Sequence, residues 1–347
     1  MPLPDARSFA PAVPSVRGEE PLLIGLIGPP GGGKTVSALR LATGMRAVRP
    51  GPVVLIDTEG GRSKKYSPGV GETPDLAALR FDFLRVEMTP PFRSHDFLAA
   101  IQAQVRLNPA AIIVDCLSDE HEGFLEWHDE QVPKMGGNEW AAWAIPKAAR
   151  KRLISGLLQI KVPLLFTFRA REKTVTEPGK GKGGRDKITN IGWMPVAPLE
   201  IVHTLDLTCI LPPKADGVPV WSSDKIGEDF IVKLPRFLAP LIVAGALSEA
   251  TGEALARWAK GETAPAAGPG KEAALAAALA ELQRLPGKED RATAMALHFG
   301  GAAGWSAVKA LPVEAIEAGT ISLRKEQEGL AALRNEASPE REPGEDD

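Results

Sequence analysis

LLIGLIGPPGGGKT, Leu22 to Thr35, joins a short unbroken apolar run to a glycine-rich turn that closes on Lys-Thr. The run Leu22 to Ile27 suits a strand buried on both faces of a parallel sheet. Gly28-Pro29-Pro30-Gly31-Gly32-Gly33-Lys34-Thr35 fits the spacing GxxxxGK(S/T), with a helix predicted over Thr35 to Met45. Phosphate chemistry explains these residue types. Glycines let backbone N–H groups converge on an anion at the positive end of the following helix. Lys34 reaches the β- and γ-phosphates, and the Thr35 hydroxyl ligates Mg²⁺. Residues 28–36, through Val36, are therefore read as an ATP and Mg²⁺ site.

Outward from this loop, apolar runs alternate with helical stretches. VVLID (Val53 to Asp57), AIIVD (Ala111 to Asp115) and PLLFTF (Pro163 to Phe168) are further predicted strands. An amphipathic stretch near Phe97 to Leu107 and a long helix over Trp140 to Ile160, kinked at Pro146, lie between them. The alternation predicts an α/β core whose mainly parallel sheet carries helices on both faces. Beyond it, Arg171 to Asn190 is rich in Gly and Lys and reads as a mobile loop. IVHTLDLTCIL (Ile201 to Leu211), VPVWSS (Val218 to Ser223) and IVKL (Ile231 to Leu234) read as strands. The domain plan is a flexible Pro-rich arm over 1–20, a core over 21–260, a linker over 261–271, a small helical domain over 272–335 and an acidic disordered tail over 336–347.

Composition narrows the function classes. The net charge is −3 over 347 residues, so no global basic field advertises nucleic acid and any such site is a local patch. No run of about 18 apolar residues and no leader pattern is present, which predicts a cytoplasmic protein with no membrane partner. Cys116 and Cys209 sit in apolar runs and read as reduced core thiols. A single Tyr excludes a surface of stacking tyrosines.

Hydrolysis needs a metal-holding carboxylate and a group that acts on the attacking water. Asp115 ends its strand beside the loop and suits the first role. The residue after it is Cys116, which cannot act as the base. Glu59, following VVLIDT at the tip of the second strand, is the candidate for the second role, with Asp119 and Glu120 in reserve. On the helix after Trp140, Lys147, Arg150 and Lys151 share one face by their spacing and read as a solvated face, with a subunit or DNA contact as the alternative. Trp140 and Trp143 read as core.

GPPGGGKT, VVLIDTEGG, AIIVDCLSD and PLLFTFRAREK together resemble the RecA-like P-loop ATPases. More narrowly, they resemble the compact phage-encoded AAA-type/RecA-like ATPases associated with single-strand annealing recombination. The resemblance spans roughly Leu22 to Leu234. It implies a catalytic Glu59, a Mg²⁺ strand ending in Asp115, and a γ-phosphate sensor at the end of PLLFTF. RecA has a Gln there; this chain has Phe168 or Arg169. The basic loop that follows implies single-stranded DNA binding through Arg171, Lys173, Lys180, Lys182, Arg185 and Lys187. SSDKIGEDF resembles the segment that carries a basic residue into a neighbouring subunit's ATP, which implies a role for Lys225 in a ring or filament. The resemblance further implies a DNA-recombination ATPase in a bacterial host cytoplasm, with a recombination partner on the C-terminal helices. Three rival readings are an ATP-dependent adaptor or loader with little hydrolysis, a P-loop small-molecule kinase that uses Arg169 to Lys187 as a lid, and an AAA+ motor, against which the missing Glu beside Asp115 and the lack of a helical lid directly after the core argue.

Overall fold

The computed structural model describes residues 11–12, 14–15, 18–177, 187–262, 271–311 and 313–336. Most of the N-terminal arm, most of the linker, the acidic tail, and Lys180, Lys182 and Arg185 lie outside the described residues. The chain divides into two compact units, one over 1–264 and one over 265–347.

In the first unit the order is β1 (Leu23–Gly28), α1 (Lys34–Met45), β2 (Val53–Asp57), β3 (Leu84–Glu87), α2 (Ser94–Val105), β4 (Ala111–Asp115), α3 (Ser118–Gln131), α4 (Glu139–Ala142), α5 (Ala144–Leu157), β5 (Leu164–Glu177), β6 (Lys187–Pro195), α6 (Leu199–Thr204), β7 (Leu207–Ile210), α7 (Ile226–Ile231) and α8 (Glu249–Ala259). The sheet runs β3-β2-β4-β5-β1-β7, and every neighbouring pair on that path is parallel. β6 pairs antiparallel with the outer half of β5. One strand, β5, thus separates the loop strand β1 from the Asp115 strand β4. The core is an α/β fold: a mainly parallel sheet with helices on both faces.

Continuous apolar strands form here because both faces are covered, so every residue of β1, β2 and β4 is buried. The period of two then sorts the side chains between two cores. Val53 and Leu55 join Ala111 and Ile113 on the face packed by α1 and α8. Val54 and Ile56 join Ile112 and Val114 on the face packed by α2 and α5. Each fully buried aliphatic side chain contributes about 1.5–3 kcal/mol before entropy is counted. Both cysteines are free and buried, and burial raises both thiol pKa values.

Several sequence expectations are corrected. Arg171 to Asn190 is not all loop: β5 runs on to Glu177 and β6 begins at Lys187. Ile201 to Leu211 is not one strand but α6 followed by β7. Val218 to Ser223 and Ile231 to Leu234 supply only isolated bridges, Val220 to Ile210 and Lys233 to Thr208. The long helix breaks between α4 and α5, before Pro146, which sits in the first turn of α5 where a missing N–H costs nothing. Trp143 packs on Phe124 and stacks on His128 at 3.8 Å, but Trp140 is 87% exposed.

Arg150 also departs from the reading of a solvated helix face. It is buried, and its Nε and Nη2 donate to the two carboxylate oxygens of the fully buried Glu120 at 3.1 and 3.0 Å. Ser94 Oγ donates to the same carboxylate at 2.5 Å. Removing one partner of such a pair strands a buried charge, at a cost of about 3–5 kcal/mol. Arg150→Ala is therefore expected to lower the unfolding free energy of the first unit by that amount, read by urea denaturation with the m-value unchanged.

The second unit contains α9 (Lys271–Gln283), α10 (Lys288–His298), α11 (Trp305–Ala310) and α12 (Val313–Glu336). Leu282, Phe299, Val308, Ile316 and Leu323 form its own small core.

Candidate nucleotide site

Residues 29–33 leave β1 and enter α1 with no side-chain cap, so the first N–H groups of this 12-residue helix stay available to an anion. Gly31 and Gly33 hold left-handed backbone, with φ of 80° and 89°. Gly28 is required by approach: a Cβ there would lie 2.3 Å from the Leu211 carbonyl oxygen. Lys34 folds back over the loop, its Nζ donating to the Pro29 carbonyl at 2.9 Å. Burial lowers the Lys34 pKa, against the opposing fields of Asp115 and Glu59. Beside the loop, Val36, Arg40, Leu79, Gly217 and Leu247 line a cleft of about 200 Å³.

Asp115 stands at the end of β4, in register with Asp57 on β2. It is 5% exposed. Its Oδ2 accepts from Thr35 Oγ1 at 2.8 Å, and its Oδ1 accepts from the Thr167 hydroxyl on β5. Burial raises its pKa in spite of these two donors. The peptide bond from Asp115 to Cys116 is cis. A buried carboxylate flanked by hydroxyl oxygens is a hard, all-oxygen donor set, which fits Mg²⁺ and not a thiolate-seeking metal. Thr35 and Asp115 are the residues that would hold it. Sequence reasoning missed Thr167; its one signal is a polar residue inside the apolar run PLLFTF.

Asp57 shapes the turn that presents Glu59. Its Oδ1 accepts from the backbone N–H of Glu59 at 2.9 Å and of Gly61 at 3.4 Å. Its Oδ2 accepts from Ser63 Oγ at 2.5 Å and lies 3.6 Å from Arg85 Nη1. Glu59 itself is half-buried, and its carboxylate accepts no hydrogen bond among the described residues. Burial first, and then the field of Asp115, raise its pKa; Arg62 pulls the other way.

The remaining expected residues separate. Of the two sensor positions, Phe168 is fully buried in the core. Arg169 is the polar one, and it pairs with Asp119 at 2.5 Å and Glu122 at 3.1 Å. Thr167, not either of these, touches Asp115. Glu120 drops out as a reserve base because Arg150 occupies it. Arg171 and Lys173 are exposed on one face of the outer half of β5, and Lys187 opens β6. Lys225 precedes α7 and lies 3.7 Å from Glu228 Oε1 of the same chain. Trp193 on β6, which is not among the expected site residues, is half-buried against the core. Among the described residues, no three His, Cys, Asp or Glu side chains cluster as a metal site, and no helix is long and apolar enough to cross a membrane.

No protein-family model matches the chain, and no curated protein does. Solved structures do match it; one is a KaiC-like protein of the hyperthermophilic archaeon Pyrococcus horikoshii OT3. That structure is 16% identical, with a TM-score of 0.31, over 58% of this chain and 82% of its own.

Proposed function

We propose that this chain binds ATP with Mg²⁺ across residues 28–36 and hydrolyses the γ-phosphate, with Glu59 acting on the attacking water. The observation that carries this reading is the unengaged, half-buried Glu59 carboxylate at a site that also holds Lys34 and Asp115. The loop N–H groups and Lys34 bind the phosphates and stabilise the charge that develops on them. Thr35 and Asp115 would hold Mg²⁺, which would supply neutralisation of the phosphate charge. Glu59 orients the water and takes its proton; a carboxylate pKa raised by burial makes it a better base near neutrality. Steady-state ADP release with MgATP tests this against the kinase reading. Turnover in plain buffer supports hydrolysis, whereas ADP release that occurs only with an added small-molecule acceptor sinks it.

Single-stranded DNA is the favoured partner, on the resemblance and on the exposed Arg171 and Lys173 of the β5–β6 hairpin. Cationic side chains along a strand neutralise phosphates and release counterions. Replacing both with Glu is expected to weaken binding of an oligothymidylate about tenfold or more and to flatten its salt dependence. ATP affinity should not change. A recombination role, and assembly into a ring or filament with Lys225 completing a neighbour's site, extend the same reading. Sedimentation with and without MgATP tests the assembly.

A further inference from the structure

Two polar side chains with no part in the hydrolysis described above are buried beside Glu59. Thr58 is 8% exposed and Asp119 is 6% exposed. Thr58 Oγ1 accepts from Cys116 N at 2.8 Å and lies 2.5 Å from Asp119 Oδ2 and 3.1 Å from the Cys116 carbonyl. A hydroxyl has one hydrogen to give. The nearer, charged acceptor takes it, so Thr58 donates to Asp119. The other oxygen of Asp119 accepts from Arg169 Nη2 at 2.5 Å, and the backbone N–H of Arg169 donates to Ser118 Oγ at 2.9 Å. In the main chain, Thr58 N donates to the Asp115 carbonyl at 3.0 Å.

The consequence is local. Glu59 projects from a backbone gripped on both sides. Asp57 holds the N–H of Glu59 itself, and the Thr58 network ties the preceding residue to the end of β4 and the first turn of α3. Arg169 is the register partner of Gly28, so the outer end of the network reaches the strand residue that opens the phosphate loop. A Val at position 58 would fill the same volume without the hydroxyl, so the side-chain link from Thr58 to Asp119 can be removed while the packing is kept. The chain buries the Asp119 carboxylate and orients it with the Arg169 guanidinium.

We propose that Asp119 is a positioning residue for hydrolysis: through the Thr58 hydroxyl it holds the backbone that aims Glu59, and Arg169 orients the Asp119 carboxylate. This rests on Glu59 being the residue that acts on water. Asp119 touches no reacting atom; it acts through Thr58.

The test compares Thr58→Val, Thr58→Ser and Asp119→Ala with wild type, each also in a Glu59→Gln background. Turnover is read by single-turnover hydrolysis and ATP affinity by fluorescent-nucleotide titration. Small misplacements of a catalytic group cost up to about a hundredfold, so Thr58→Val and Asp119→Ala are expected to lose about tenfold or more in turnover. ATP affinity should stay within about twofold, since the phosphate contacts are untouched. Thr58→Ser keeps the hydroxyl and should recover most of the rate. In the Glu59→Gln background neither substitution should cost anything further. Wild-type turnover in Thr58→Val and Asp119→Ala overturns the proposal, as does an equal further loss without Glu59 or a parallel loss of ATP affinity. If Glu59→Gln itself turns over like wild type, the proposed function fails first and the positioning role falls with it.

Discussion

Lys34→Ala is expected to weaken ATP binding about ten- to a hundredfold. The ammonium sits at the first turn of α1 among the carboxylates of Asp115 and Glu59, and no second Lys occupies the loop. Losing one charge-assisted contact to a phosphate removes about 1.5–3 kcal/mol, or one to two decades of affinity. A melt without nucleotide separates this effect from fold damage, because Lys34→Ala also removes the Nζ hydrogen bond to the Pro29 carbonyl. Burial lowers the Lys34 pKa, so desolvation penalises its charged form and offsets part of what the lost hydrogen bond contributes to stability. The rise in melting temperature that MgATP gives the wild type should disappear. Titration with a fluorescent ATP analogue and a thermal melt with and without MgATP read both effects.

Glu59→Gln should separate binding from chemistry. Gln keeps the shape of the side chain and its place after Asp57 but cannot accept the proton. General-base assistance is worth about 100- to 10,000-fold, so turnover should fall by at least about a hundredfold with ATP affinity nearly unchanged. The pH profile carries a second signature. Burial and the field of Asp115 raise the Glu59 pKa above the usual carboxylate range. The base works ionised, so kcat/KM should decline as pH falls through that raised value, and the residual rate of the Gln variant should lack this acid limb. Stability runs with the opposite sign. A carboxylate whose folded pKa is raised destabilises the fold as pH rises above its unfolded value, so Glu59→Gln should be no less stable than wild type at neutral pH.

What the sequence made legible was whatever is local in the chain. LLIGLIG and GPPGGGKT announce a buried strand, a phosphate-sized turn and a helix within one window, and β1, the loop and α1 lie there. VVLID and AIIVD read as strands because unbroken apolar runs of this length have few other fates, and Asp115 falls at a strand tip because its run stops there. Contacts made across the sheet were not legible. Thr167 meets Asp115 only because β5 lies beside β4, and Asp119 meets Thr58 only because α3 starts beside the tip of β2. Arg150 looked solvated because i, i+4 spacing finds a helix face without saying what faces it; Glu120 does. The β5–β6 hairpin was hidden by its Gly- and Lys-rich composition, in which pairing along residues 171–177 and 187–194 leaves no apolar alternation to detect. β3 was missed because LRVE, though it alternates, is only four residues long and lies at the sheet edge, partly exposed.

The most direct test of ATP hydrolysis at this site is phosphate release from MgATP by the wild-type chain, with the Lys34→Ala chain prepared in parallel as background. Release should stop when Mg²⁺ is chelated and should be lost in the variant. Equal release from both chains, or none from a wild-type chain that binds ATP, would contradict the assignment.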